Sequence, residues 1–149
     1  MSDDIMTLFW RCADCPETPP TLSADDLAAF PACEVKAFRE AGLLKPGETA
    51  GYVTCRECAD DHVAKVERVS APDGKSRFFA VCPQNGRFEV PRDRLLQWNV
   101  SFEPLLEAVM TAHNATGDLE TVIPGRVWKM GRASIGGRSR TLWAVRGMA

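Results

Sequence analysis

No apolar run in the 149 residues approaches the roughly 18 needed for a membrane-spanning helix, so no membrane partner is expected. The opening Met1-Ser2-Asp3-Asp4-Ile5 lacks the basic-then-apolar layout of an export signal, which leads to the expectation of a cytoplasmic protein. Histidine is scarce: His62 and His113 are the only two. There is no Gly-rich phosphate loop, no Ser-His-acid arrangement and no His-Glu-x-x-His helix. The His-x-Glu of the zinc deaminases is missing too. Catalysis is therefore not expected. Internal repeats and low-complexity tracts are also absent. Acids are missing altogether from residues 122–149, which carry 6 Lys/Arg.

What the chain does have is six cysteines, at positions 12, 15, 33, 55, 58 and 82. Without an export signal these read as thiols or metal ligands before disulfides. The pattern Cys55-Arg56-Glu57-Cys58 turns two thiolates toward one point, as a tetrahedral zinc ion requires. Cys82 follows at the end of an expected strand. His62, four residues beyond Cys58, is the natural fourth ligand. The expected site is thus Zn2+ held by Cys55, Cys58, His62 and Cys82. If His62 does not serve, Cys12, Cys15 or Cys33 could, or the site is degenerate and metal-free. The pair Cys12-Ala13-Asp14-Cys15 offers, with Cys33, a second metal site, or it joins Cys55 and Cys58. Either way Cys12 and Cys15 are expected to be reduced or metal-bound.

The spacing resembles a zinc ribbon over residues 52–90. In that family the second knuckle reads Cys-Pro-x-Cys-Gly, whereas here it reads Cys82-Pro83-Gln84-Asn85-Gly86, with Asn85 where the fourth thiol would stand. Residues 38–46, Phe-Arg-Glu-Ala-Gly-Leu-Leu-Lys-Pro, are similar to the stretch closing the DNA-binding helix pair of MerR-type regulators. Together with Pro124-Gly125-Arg126-Val127-Trp128, the arrangement resembles the N-terminal region of uncharacterised bacterial helix-turn-helix regulators. That resemblance implies DNA binding and transcription regulation.

Local patterns predict an α+β fold in three parts. Residues 1–50 form a helical N-terminal part, with Ser23 capping one helix and another ending at Gly42. Residues 51–91 form a three-stranded zinc-ribbon-like meander, with strands over 63–70, 76–82 and 87–90. Pro72-Asp73-Gly74 turns the first of these into the second. Residues 92–149 form a short helix over 91–98, a helix over 102–114 with one apolar face, and a basic hairpin turned by Gly136-Gly137. Gly131 inside a strand predicts a bulge or a close approach.

Charge is uneven. Residues 1–61 hold 5 Lys/Arg against 12 Asp/Glu, and the basic end contrasts with them. Arg126, Lys129, Arg132, Arg138, Arg140 and Arg146, interleaved with Trp128 and Trp143, form an expected nucleic-acid-binding set. The expected function is a non-enzymatic zinc-binding module contacting nucleic acid or a nucleic-acid-handling complex. The alternative is a protein–protein interaction subunit in which the zinc is purely structural.

Overall fold

Asp4 opens the first helix, its carboxylate accepting the Thr7 N–H at 2.8 Å. This helix, α1 (Ile5–Asp14), buries Ile5, Phe9 and Cys12, which recur on one face at helical spacing. The computed structural model describes residues 4–147. β1 (Thr21–Ser23) leads directly into α2 (Ala24–Leu27), where Ser23 and Asp26 form a reciprocal capping box. α3 (Ala32–Glu40) stops at Gly42, whose φ of +76° is cheap only for glycine, and β2 (Leu44–Pro46) follows. The stretch 38–46 therefore runs from a helix into a strand.

The next strands are β3 (Tyr52–Thr54), β4 (Val63–Ser70), β5 (Ser76–Cys82) and β6 (Gly86–Glu89). They pair antiparallel in the order β3-β4-β5-β6, so the meander has four strands and not three. A 3-10 turn (Arg92–Leu95) precedes β7 (Gln97–Val100). α4 (Glu103–Ala112) comes next, then β8 (Glu120–Ile123), β9 (Val127–Ile135) and β10 (Arg138–Val145), ordered β10-β9-β8. Gly136 and Gly137 both have positive φ, as a two-residue I′ hairpin turn demands.

The expected α+β arrangement with a helical N-terminal part is thus overturned. Among the described residues the protein is mostly β, with ten strands in three antiparallel sheets, 38% strand and 26% helix. The third sheet, ordered β1-β7-β2, explains the error. Its three short strands come from distant parts of the chain, so none carries a local hairpin signal. Residues 91–98 look helical because Pro91 suits a first turn. Only one 3-10 turn forms before Leu96 becomes extended and the chain joins this sheet.

Packing divides the chain into two units. The first takes the residues up to Thr21, Phe30–Lys45 and those from Asn99 onward. At its centre Phe9, Phe102 and Trp128 stack in tilted contacts, with centroids 5.0 and 6.4 Å apart, and Phe38 meets Phe9 edge-on. The Trp128 indole N–H donates to Glu103 at 3.3 Å, so this ring is buried without a polar cost. The second unit takes Leu22–Ala29 and Pro46–Trp98. Its core gathers Val53, Ala64, Ala80, Val90 and Leu95, each contributed by the inward positions of the four-stranded sheet or by the segment after it. No helix among the described residues is long and apolar enough to cross a membrane.

Candidate metal centre

The centre lies in the second unit, at one end of the four-stranded sheet. β3 ends at Thr54, and the Cys55 N–H donates to the His62 carbonyl at 2.9 Å. That bond closes the 55–62 loop at its base, so Cys55, Cys58 and His62 are held by one short turn. Cys82 is the last residue of β5 and pairs with Gly86 across the turn into β6. Two loops meet there, each delivering sulfur.

Cys55, Cys58, His62 and Cys82 bring their ligand atoms within 4.8 Å of one another. Among the described residues they are the one group of three or more Cys, His, Asp or Glu to do so. Cys55 and Cys82 are 4% and 1% exposed, while Cys58 and His62 are half-buried. The Cys55 and Cys58 sulfurs stand 3.9 Å apart. Two thiolates each ~2.3 Å from a tetrahedral ion would lie ~3.8 Å apart. His62 Nδ1 is 3.5 Å from the Cys58 sulfur and 3.1 Å from the Asp60 carbonyl, while its Nε2 is buried with no hydrogen-bond partner. A buried ring nitrogen without a partner is costly, and a metal ion removes that cost. The donor set fits a four-coordinate thiophilic ion.

The thiols are electrostatically unlike. Burial pushes the Cys58 thiol up to about 11, against a lowering backbone hydrogen bond at Asp60, and the neighbouring Cys82 and Cys55 sulfurs add to the rise. Burial also works against ionising Cys82, but the backbone N–H groups of Asn85 and Gln84 and the Cys58 and Cys55 thiols hold it below its usual value. The Glu57 N–H donates to the Cys55 sulfur at 3.4 Å. Backbone N–H groups aimed at sulfur stabilise thiolate, the form that binds metal.

Around the ligands lie residues with no metal-ligand signature in the sequence. The Asn85 side-chain amide donates to the Glu57 carbonyl, and the Gln84 amide donates to the Asp60 carboxylate. Asn85, standing where a fourth thiol was looked for, therefore ties the second loop to the first. Asp25 accepts from Arg56 at 2.7 Å and from Arg94 at 3.1 Å, and Arg94 also donates to the Thr54 carbonyl at 3.0 Å. Since Arg56 lies between Cys55 and Cys58, this clamp fixes the first loop from outside. The departure at Asn85 was a usable signal. Asp25, 31 residues from Arg56, was not.

The remaining cysteines stay apart from this cluster. Cys12 is buried at the end of α1, Cys15 is half-buried and Cys33 is exposed, and none of the three is in a disulfide. The six C-terminal cations divide. Arg146, 8% exposed, donates to the carbonyls of Cys12 at 3.1 Å and Cys15 at 2.9 Å, and also to those of Glu17 and Gly125. Arg126 donates to the carbonyls of Gly147 and Pro16, and Lys129 meets Glu120 at 3.4 Å. Arg132, Arg138 and Arg140 are exposed, and no acid among the described residues pairs with them.

Compared with known protein families, curated proteins and solved structures, the chain has no significant match. What the site does is argued from its own residues.

Proposed function

We propose that this chain is a zinc-binding module without a catalytic role, and that its basic β9–β10 hairpin contacts nucleic acid or a complex that handles it. The convergence of Cys55, Cys58, His62 and Cys82 carries the metal reading. Three thiolates and an imidazole fill a tetrahedral zinc ion, leaving no open position for water or substrate, which is the signature of a structural site. The metal would then fix two loops of a small unit whose core is modest. Arg132, Arg138 and Arg140, unpaired and exposed, support the polyanion reading.

The alternative, a protein-interaction subunit, is favoured by Tyr52, Val63 and Val81, which are 62%, 66% and 55% exposed on the four-stranded sheet. Its zinc would be equally structural.

The test is elemental analysis of protein purified without chelator. One zinc per chain is expected, and less than about half an equivalent rejects the reading. Cys58→Ser should lose the metal and, because binding and folding are coupled at such sites, should loosen the second unit. Cobalt substitution should give the intense absorption of thiolate ligation.

A further inference from the structure

In an unbroken strand, residues three apart point to opposite faces. Lys129 and Arg132 of β9 do not. Lys129 pairs with Trp143 while Arg132 pairs with Thr141, so β9 carries one residue more than β10 between these two rungs. The extra residue is at Gly131, whose φ is +77°. A bulge there resets the alternation. Trp128 and Met130 remain buried, and Lys129 and Arg132 both face outward.

The outer face of the β10-β9-β8 sheet follows from the register. One row is Ile123–Val127–Val145, the next is Glu120–Lys129–Trp143, and beyond it lies Arg132 beside Thr141. Ile123, Val145 and Trp143 are 49%, 47% and 53% exposed. An apolar, aromatic end thus adjoins a cationic end on one surface. Its one acid, Glu120, is already taken by Lys129. β9 and β10 contain no acid at all.

Resting on the nucleic-acid reading above, the geometry points to this face as a binding surface for single-stranded nucleic acid. Trp143 stacks a base, and Arg132, with no acid partner among the described residues, holds a phosphate. Charge complementarity selects a polyanion. A duplex offers phosphates but keeps its base faces stacked inside, leaving Trp143, Val145 and Ile123 uncovered. A single strand offers both phosphates and free base faces, and stacking on aromatic rings tolerates any sequence. Arg138 and Arg140 are excluded from this surface, because Arg140 pairs with the buried Ala133 and so belongs to the opposite face.

The test uses the full zinc-loaded chain and a fluorescein-labelled oligothymidine of about 20 nucleotides, with a mixed-sequence duplex of equal length, read by anisotropy. The single strand should bind at least tenfold more tightly. Trp143→Leu should weaken it by roughly 5- to 150-fold, the usual range for one stacked base. Arg132→Gln should flatten the log–log salt slope by about 0.7. Both positions are exposed, so unchanged circular dichroism and zinc content should confirm that the fold survives. Tighter duplex binding, or a Trp143→Leu protein that binds like the parent, overturns the inference. If instead Arg138→Ala/Arg140→Ala abolishes binding and Trp143→Leu does not, the nucleic-acid reading stands and this face falls. Binding of neither oligonucleotide rejects both and leaves the acidic protein partner.

Discussion

Replacing Arg146 by Met tests what holds the first unit together. The guanidinium is buried, bonds to four main-chain carbonyls and lies 5.1 Å over the Phe102 ring. Cys12 and Cys15 sit at the C-terminal end of α1, where the dipole is negative and the Cys12 carbonyl otherwise accepts the Cys15 N–H at 3.3 Å. Burial and the neighbouring Arg126 both work against the Arg146 charge, lowering its pKa. The guanidinium stays charged all the same, since arginine is not deprotonated in proteins. Met keeps much of the apolar stem but strands the carbonyls. Each bond to a charged donor contributes about 1.5–3 kcal/mol, and the four are not additive. A loss of about 3–5 kcal/mol is the reasonable range, as for breaking other buried charged partnerships. At roughly 2–4 °C per kcal/mol for a chain of this size, the melting temperature should fall by about 6–20 °C. Circular dichroism melts and urea titrations would measure it. Arg146→Lys should recover less than half of the loss, because one ammonium cannot reach all four carbonyls. Arg138→Ala, at the exposed hairpin tip, should change stability by under about 0.5 kcal/mol. A drop below about 1 kcal/mol for Arg146→Met would refute the reasoning, for it would mean that water replaces the guanidinium freely.

Asn85→Ala should weaken zinc binding by about 10- to 100-fold in a chelator competition, as loss of outer partners does at metal sites; unchanged affinity would mean the tie to Glu57 is incidental. Burial opposes ionisation of Glu103, but bonds from the Ser101 hydroxyl, its own N–H and the Trp128 indole, with Lys45 nearby, lower its pKa below 4.5. Its contribution should be complete above about pH 4.5 and vanish as pH falls through the lower folded value. Urea midpoints should therefore drop less on acidification for Glu103→Gln than for the parent. Gly131→Ala should cost at least about 2 kcal/mol by the same titrations, since its Cβ would lie 2.3 Å from the Thr116 carbonyl oxygen at a φ that already costs about 1–2 kcal/mol. A near-neutral result would place the bulge elsewhere.

Chemistry that depends on short spacing was legible in the chain. Cys55, Cys58 and His62 fall within one loop, and Val63–Ser70 and Ser76–Cys82 are strands to the residue, because alternation and turn residues are local signals. Gly131 in a strand likewise announced its bulge. What depends on distant pairing was not legible. β7 lies between β1 and β2, which precede it by dozens of residues, and its first residues, Gln97 and Trp98, fall at the end of the helix expected from Pro91. β8 is fully exposed and lacks a hydrophobic pattern. Arg146 looked like one more surface cation, because its partners are backbone carbonyls that every residue has. Within the Phe38–Pro46 stretch, the strand at Leu44–Pro46 carried no local signal, because its partner β7 is distant in the chain.

The Arg146 bonds also impose a timetable on synthesis. They reach back 134 and 131 residues, to Cys12 and Cys15. A ribosome adding about 5–20 residues per second makes α1 long before the side chain that closes its end. The second unit, by contrast, is complete once Trp98 has been added, with all four candidate metal ligands already made by residue 82. Metal loading can therefore precede release of the chain, whereas α1 must wait with its last carbonyls in water. A truncation just before Arg146 should retain the metal proposed for Cys55, Cys58, His62 and Cys82 and yet fail to protect the α1 amides from hydrogen exchange.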